Sequence, residues 1–151
     1  MKKRDTLEKS PYTKFDNCSM IGLDEHTVGG VVVSSFLRDA GMEVIYLGAY
    51  KTPEMIVQAA VQEDVDVIGI SSHTSNYSEI EEVIDLLRKK NMNDVLVIVG
   101  GTIPKKQIQR LKERGVAEVF PPQSSSSIVD YIVSHMRQRE GELKKAHKVQ
   151  S

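Results

Sequence analysis

The residues best able to do chemistry stand together as Asp24-Glu25-His26-Thr27-Val28-Gly29-Gly30, directly after the apolar run 20–23. A carboxylate two positions before a histidine, where a strand gives way to a helix, can hold one imidazole nitrogen and leave the other free to grip a metal. The glycines let backbone approach a large flat ligand where a side chain would collide. The stretch therefore predicts a metal-bearing cofactor lying over strand ends, with His26 as the metal ligand.

Small and polar residues recur at two later points, Ser71-Ser72 (followed by His73) and Gly100-Gly101-Thr102, and a further loop begins at Phe120-Pro121 with Ser124 beyond it. Taken singly, the serines are helix caps and the glycine pair a tight turn. Each group, however, ends an apolar β-branched run. Two glycines where a strand ends leave a passage for something other than a side chain, and a long ligand tail fits that description.

The elements that must position these groups follow from periodicity. Short β-branched runs at 19–23, 43–48, 65–71, 95–99 and 116–120 alternate with helical stretches near 29–40, 53–62, 77–90, 104–114 and 124–137. Such alternation is the signature of strand-helix-strand units on a parallel sheet. Thr52-Pro53 reads as a helix start, and Gly41 and Gly115 as helix stops. Val32, Val33, Phe36 and Leu37 are placed on one inward face of the first helix by their spacing. The fold class is α/β, a doubly wound five-stranded parallel sheet of order 2-1-3-4-5, whose ligands bind beyond the carboxyl ends of the strands.

Three segments are expected: a polar arm at 1–17, a folded domain at 18–137 and a charged tail at 138–151, either a frayed helical extension or disordered. The 151 residues, 40% of them hydrophobic, suit one domain. Twenty basic against twenty-one acidic residues, a net charge of -1, give no field that would attract nucleic acid or a membrane surface. Cys18 is the single cysteine, which leaves no internal disulfide and fits a cytoplasmic setting. No apolar run approaches the roughly 18 residues of a membrane span.

Together the motifs resemble the cobalamin-binding domain of adenosylcobalamin-dependent acyl-CoA mutases, the methylmalonyl-CoA mutase type and the small subunits of two-chain relatives. The family's Asp-x-His-x-x-Gly stands as Asp24 to Gly29 and its glycine pair as Val99-Gly100-Gly101-Thr102-Ile103-Pro104. The resemblance extends over residues 20–136, with three loops in matching order and spacing.

The resemblance implies a flavodoxin-like fold and a cofactor, adenosylcobalamin, held with its own base displaced. His26 would coordinate cobalt and Asp24 would bond the other ring nitrogen. Ser71 would bond the base of the released nucleotide arm, Gly100-Gly101 would give the arm room, and Gly29 with Val32 would shape the slot. Glu25, Thr27, Val28, Ser72, His73, Thr102, Phe120, Pro121 and Ser124 complete the cofactor-binding set. No residue of this chain is expected to be catalytic. The chain is too short for a substrate barrel, so the implied partner is a large barrel-type subunit that binds acyl-CoA, in a hetero-oligomer that is an isomerase.

Two positions depart from the family pattern. Ser71-Ser72-His73 replaces Ser-x-Leu, and Pro122-Gln123 replaces Pro-Gly-Thr or Pro-Gly-Ser. The alternative functions are a corrinoid carrier for methyl transfer or a cobalamin sensor, each needing an extra helical unit. A response-regulator receiver would need an aspartate where Ser71 stands.

Overall fold

A computed structural model describes residues 14–21, 27–72 and 77–150. The elements are β1 (Lys14–Ile21), α1 (Thr27–Asp39), β2 (Glu43–Ile45), β3 (Gly48–Lys51), α2 (Pro53–Glu63), β4 (Val67–Ser71), α3 (Tyr77–Lys89), β5 (Leu96–Gly100), α4 (Lys105–Arg114), β6 (Glu118–Phe120) and α5 (Ser125–Gln150). All strand pairings are parallel, in the order β2-β1-β4-β5-β6, with β3 also paired to β1. The chain is an α/β protein with the flavodoxin-like arrangement.

Two boundaries differ from the sequence expectation. The second strand is two segments, β2 and β3, because Gly48 takes φ +85 and kinks the chain at the point where pairing resumes. Counted as one interrupted strand, they restore the order 2-1-3-4-5. The first strand begins at Lys14, inside the stretch read as an arm, since Lys14, Phe15 and Asp16 pair with Glu43, Val44 and Ile45. The polar residues there hid a strand that backbone pairing supports.

The charged stretch from 138 onward continues α5 without a break through Gln150. Glu140, Glu142, Lys144 and Lys145 are good helix formers, and Arg139 fastens the helix by bonding Asp94 at 2.8 Å and facing the buried Asp66 at 3.8 Å. At 1.5 Å per residue α5 is about 39 Å long, roughly twice the length of a five-residue strand. It runs down the sheet and projects past the edge opposite the strand ends.

Two apolar layers cover the sheet. Val67, Leu96, Ile98 and Phe120 face α1 and α5, where Leu37, Ile128, Ile132 and Met136 are buried. Ile68, Ile70, Val97 and Val99 face α2, α3 and α4, with Ile56, Ile80, Val83 and Leu111 against them. Burying each such side chain stabilises the fold by about 1.5–3 kcal/mol.

Helix ends follow the sequence. Thr52 Oγ1 accepts from the Met55 amide at 3.2 Å, with Pro53 at the first helical position. Gly115, at φ +125, donates to the Leu111 carbonyl and ends α4. The nearly buried Glu81 clamps α3 to α4 through Arg110 at 2.9 Å and Arg114 at 3.7 Å.

Candidate cofactor site at the carboxyl edge of the sheet

Parallel connectivity brings every strand's carboxyl end to one edge. A continuous row crosses four strands there: Met20 of β1 pairs with Ser71 of β4, Ser71 with Gly100 of β5, and Gly100 with Phe120 of β6. Helices α1, α3 and α5 start just beyond this edge.

The row has a consistent side. Side chains alternate along a strand, and Ile68 and Ile70 lie in the α2–α4 layer while Val67 lies in the α1/α5 layer. Gly69 and Ser71 therefore face α1 and α5. By the same count Gly100 joins them, because Ile98 faces that layer and Val97 and Val99 the other. Two neighbouring strands thus present nothing bulkier than a hydroxymethyl group at three positions on one face. Among the described residues, a Cβ added at Gly100 would find only the Phe120 carbonyl, at 3.9 Å.

Ser72 extends the ladder, its amide donating to the Gly100 carbonyl at 2.9 Å. Its Oγ is buried and has no hydrogen-bond partner among the described residues. A buried hydroxyl left unpaired costs about 1–3 kcal/mol, an expense that a polar ligand group would remove. Gly101, at φ +135, donates to the Phe120 carbonyl at 3.0 Å. That backbone conformation belongs to glycine.

The remaining expected residues divide. Thr27, Val28 and Gly29 form the first turn of α1. Phe120 is buried edge-to-face against Tyr131, with ring centroids 5.5 Å apart. Ser124 is half-buried and its carbonyl accepts the first amide bond of α5, from Ile128 at 2.9 Å. Thr102 and Pro121 are exposed. Asp24, Glu25, His26 and His73 lie outside the described residues; in sequence the first three fall between Ile21, ending β1, and Thr27, opening α1.

Val32 and Phe36 do not lie inward as their spacing suggested. They are 44% and 48% exposed, and Val33, Ser34 and Leu37 take the inward arc. The wheel was read one step off because four consecutive apolar or small residues fit either phase. Gly69 was passed over altogether, although alternation in Val67-Ile68-Gly69-Ile70-Ser71 puts it on the same face as Ser71.

The described part of the site offers hydroxyls and backbone groups but no acid-base side chain. The nearest shifted titrations lie on β6 and α5. A bond from Lys112 holds the Glu118 carboxyl below its usual range, and burial pushes the Tyr131 phenol up, aided by the negative Glu118. These groups belong to the packing of the last strand and helix. Gly69, Ser71 and Gly100 bring only small side chains to the α1/α5 face of the sheet edge, and the Ser72 hydroxyl is a buried polar atom beside it.

A family model, the B12 binding domain, matches residues 17–127. The chain belongs to the B12-binding domain family. The small subunit of pivalyl-CoA mutase from Xanthobacter autotrophicus is 39% identical over 119 residues, covering 79% of this chain and 80% of that one. The 2-hydroxyisobutanoyl-CoA mutase small subunit of Aquincola tertiaricarbonis is 41% identical, covering 76% and 85%. Methylmalonyl-CoA mutase of Escherichia coli is 37% identical over 103 residues, 68% of this chain but 14% of that longer one. Among solved structures, a cobalamin-binding protein from Desulfitobacterium hafniense DCB-2 superposes with a TM-score of 0.69 at 21% identity, covering 79% of this chain and 56% of that one. The receiver domain of NarL from Mycobacterium tuberculosis gives 0.62 at 15% identity, covering 83% and 98%. At these identities the structural likeness speaks for the fold alone. Among the described residues, no helix is long and apolar enough to cross a membrane.

Proposed function

We propose that this B12-binding domain is the cobalamin-carrying small subunit of a two-chain acyl-CoA mutase, an isomerase, and that it holds adenosylcobalamin with the nucleotide arm displaced into the slot beside β4 and β5. The observation that carries the reading is the row Ser71–Gly100, which brings only small residues to the α1/α5 face, together with similarity to mutase small subunits over more than three quarters of the chain.

When bound, adenosylcobalamin supplies a cobalt–carbon bond whose homolysis provides the radical for a carbon-skeleton rearrangement. The chain's own residues do the holding. His26 would donate an imidazole nitrogen to cobalt, and Asp24 would accept a hydrogen bond from the other ring nitrogen, fixing the tautomer and raising the ring's basicity. The Ser71 hydroxyl would bond the base of the nucleotide arm. Gly100 and Gly101 would keep the passage clear. Glu25, Thr27, Val28, Gly29, Ser72, His73, Thr102, Phe120, Pro121 and Ser124 would complete the binding set.

Substrate binding belongs to a larger companion subunit with a barrel that closes over the upper face of the corrin ring and receives the acyl-CoA. The length of the E. coli relative, of which this chain matches 14%, supports such a division of labour. We place the assembly in the cytoplasm. The test is to co-elute the purified chain with adenosylcobalamin on a sizing column, then add the companion subunit and an acyl-CoA. Retention of the corrinoid by this chain alone, with turnover only in the mixture, is the predicted outcome. A chain that retains no corrinoid contradicts it.

A further inference from the structure

Helices α2 and α3 leave between them a mostly apolar groove of about 490 Å³, on the α2–α4 side of the sheet. Buried Val57 and half-buried Leu86 line it beneath Val61, which is 47% exposed. At one end stands Glu54, in the first turn of α2, and at the other Gln62 and Lys90, where both helices finish. The Glu54 carboxyl hydrogen-bonds that of Glu82 on α3, a contact that two carboxyls make only by sharing a proton. The bond to Glu54 holds Glu82 above the usual carboxylate range, while a backbone bond, aided by Glu82, holds Glu54 below it. Lys89 acts on Glu82 only through space. The groove thus joins an apolar wall to an acidic end, where an added cation would relieve the crowding of carboxyls.

Residues 1–13 lie outside the described residues, but the place where they join the fold is on view. They lead into β1 at Lys14, and Phe15 pairs with Val67, the first residue of β4. Because helices return between parallel strands, α2 and α3 finish at this same edge, and α2 also touches β1. The segment therefore meets the fold beside the Gln62–Lys90 end of the groove. Its sequence suits what the groove offers: Tyr12 is its one aromatic residue, Lys9 stands three positions away, and four basic residues outweigh two acidic ones. Three residues of extended chain cover about 10 Å, and the helix from Glu54 to Val61 rises about 10.5 Å. Pro11 favours extended backbone in the residue before it. We propose that residues 9–12 of this chain lie along the α2–α3 groove, with Tyr12 over Val61 and Leu86 and with Lys9 at the Glu54 and Glu82 carboxyls. This strap covers the side of the sheet away from α1 and α5, and it does not depend on the cofactor reading above.

The experiment is disulfide trapping in the full chain carrying Cys18→Ser, so that only introduced thiols react. Ser10→Cys is paired with Gln58→Cys, midway along the groove, or with Leu143→Cys, an exposed position on α5, and each pair is oxidised in a glutathione buffer. The 10–58 bond is expected to close within one chain at least about tenfold faster than the 10–143 bond. Adding Tyr12→Ala or Lys9→Glu to the 10–58 pair should slow closure by about fivefold or more, since each removes one of the two anchors. Closure no faster at 58 than at 143, a 10–58 rate that neither Tyr12→Ala nor Lys9→Glu changes, or a disulfide that joins two chains instead of closing within one overturns the inference.

Discussion

Ser71 and Gly100 face one another across the β4–β5 ladder at the carboxyl edge of the sheet. One brings a hydroxyl and the other brings no side chain at all, on the face turned toward α1 and α5. That pairing turns a sheet edge into a slot.

Gly100→Val should close it. The added Cβ meets no atom of the described residues nearer than 3.9 Å, and a β-branched residue suits a strand, so the melting temperature should stay within a few degrees while cobalamin affinity falls by at least about tenfold. A variant that binds as tightly as the parent chain would show that the arm does not pass over Gly100.

Gln123 takes φ +64, the left-handed conformation, directly after Pro122. Glycine takes that conformation without strain, whereas an L side chain there costs about 1 kcal/mol or more, and only part of the difference is lost to the greater freedom of an unfolded glycine. Gln123→Gly should therefore raise stability by about 0.5 kcal/mol in urea unfolding. A decrease would mean that the glutamine side chain makes a compensating contact.

Lys112 bonds Glu118 at 2.7 Å and depresses the carboxyl below its ordinary value of 4.5. A carboxylate lowered in the folded state contributes stability above its unfolded pKa, and that contribution is lost as pH falls through the folded value. Both side chains are partly in solvent, so the effect is at most about 1 kcal/mol after screening. Glu118→Gln should be less stable than the parent chain at neutral pH and equal to it well below pH 4.5, as read from paired denaturation curves. A constant difference across that range would assign the loss to packing.

Much of this was legible in the chain. Strand-helix alternation and the Thr52-Pro53 and Gly115 signals located the elements because local preference and tertiary packing agree there. The features missed are those that depend on backbone pairing or helix phase. Lys14 to Asp16 look like an arm until β2 is seen beside them. The phase of α1 could not be read from Val31-Val32-Val33, since every position in the run is apolar. The length of α5 is settled by Arg139 reaching Asp94, 45 residues away in sequence. Ser71 and Gly100 were each visible as strand-end residues, but their direct pairing needed the register.

The account stands or falls on His26 as the ligand to cobalt. Visible spectra of adenosylcobalamin added to the chain and to His26→Gly test this most directly. A base-displaced, histidine-ligated spectrum for the parent chain, lost or strongly weakened on substitution, is the predicted result. A parent spectrum that the substitution leaves unaltered would contradict it.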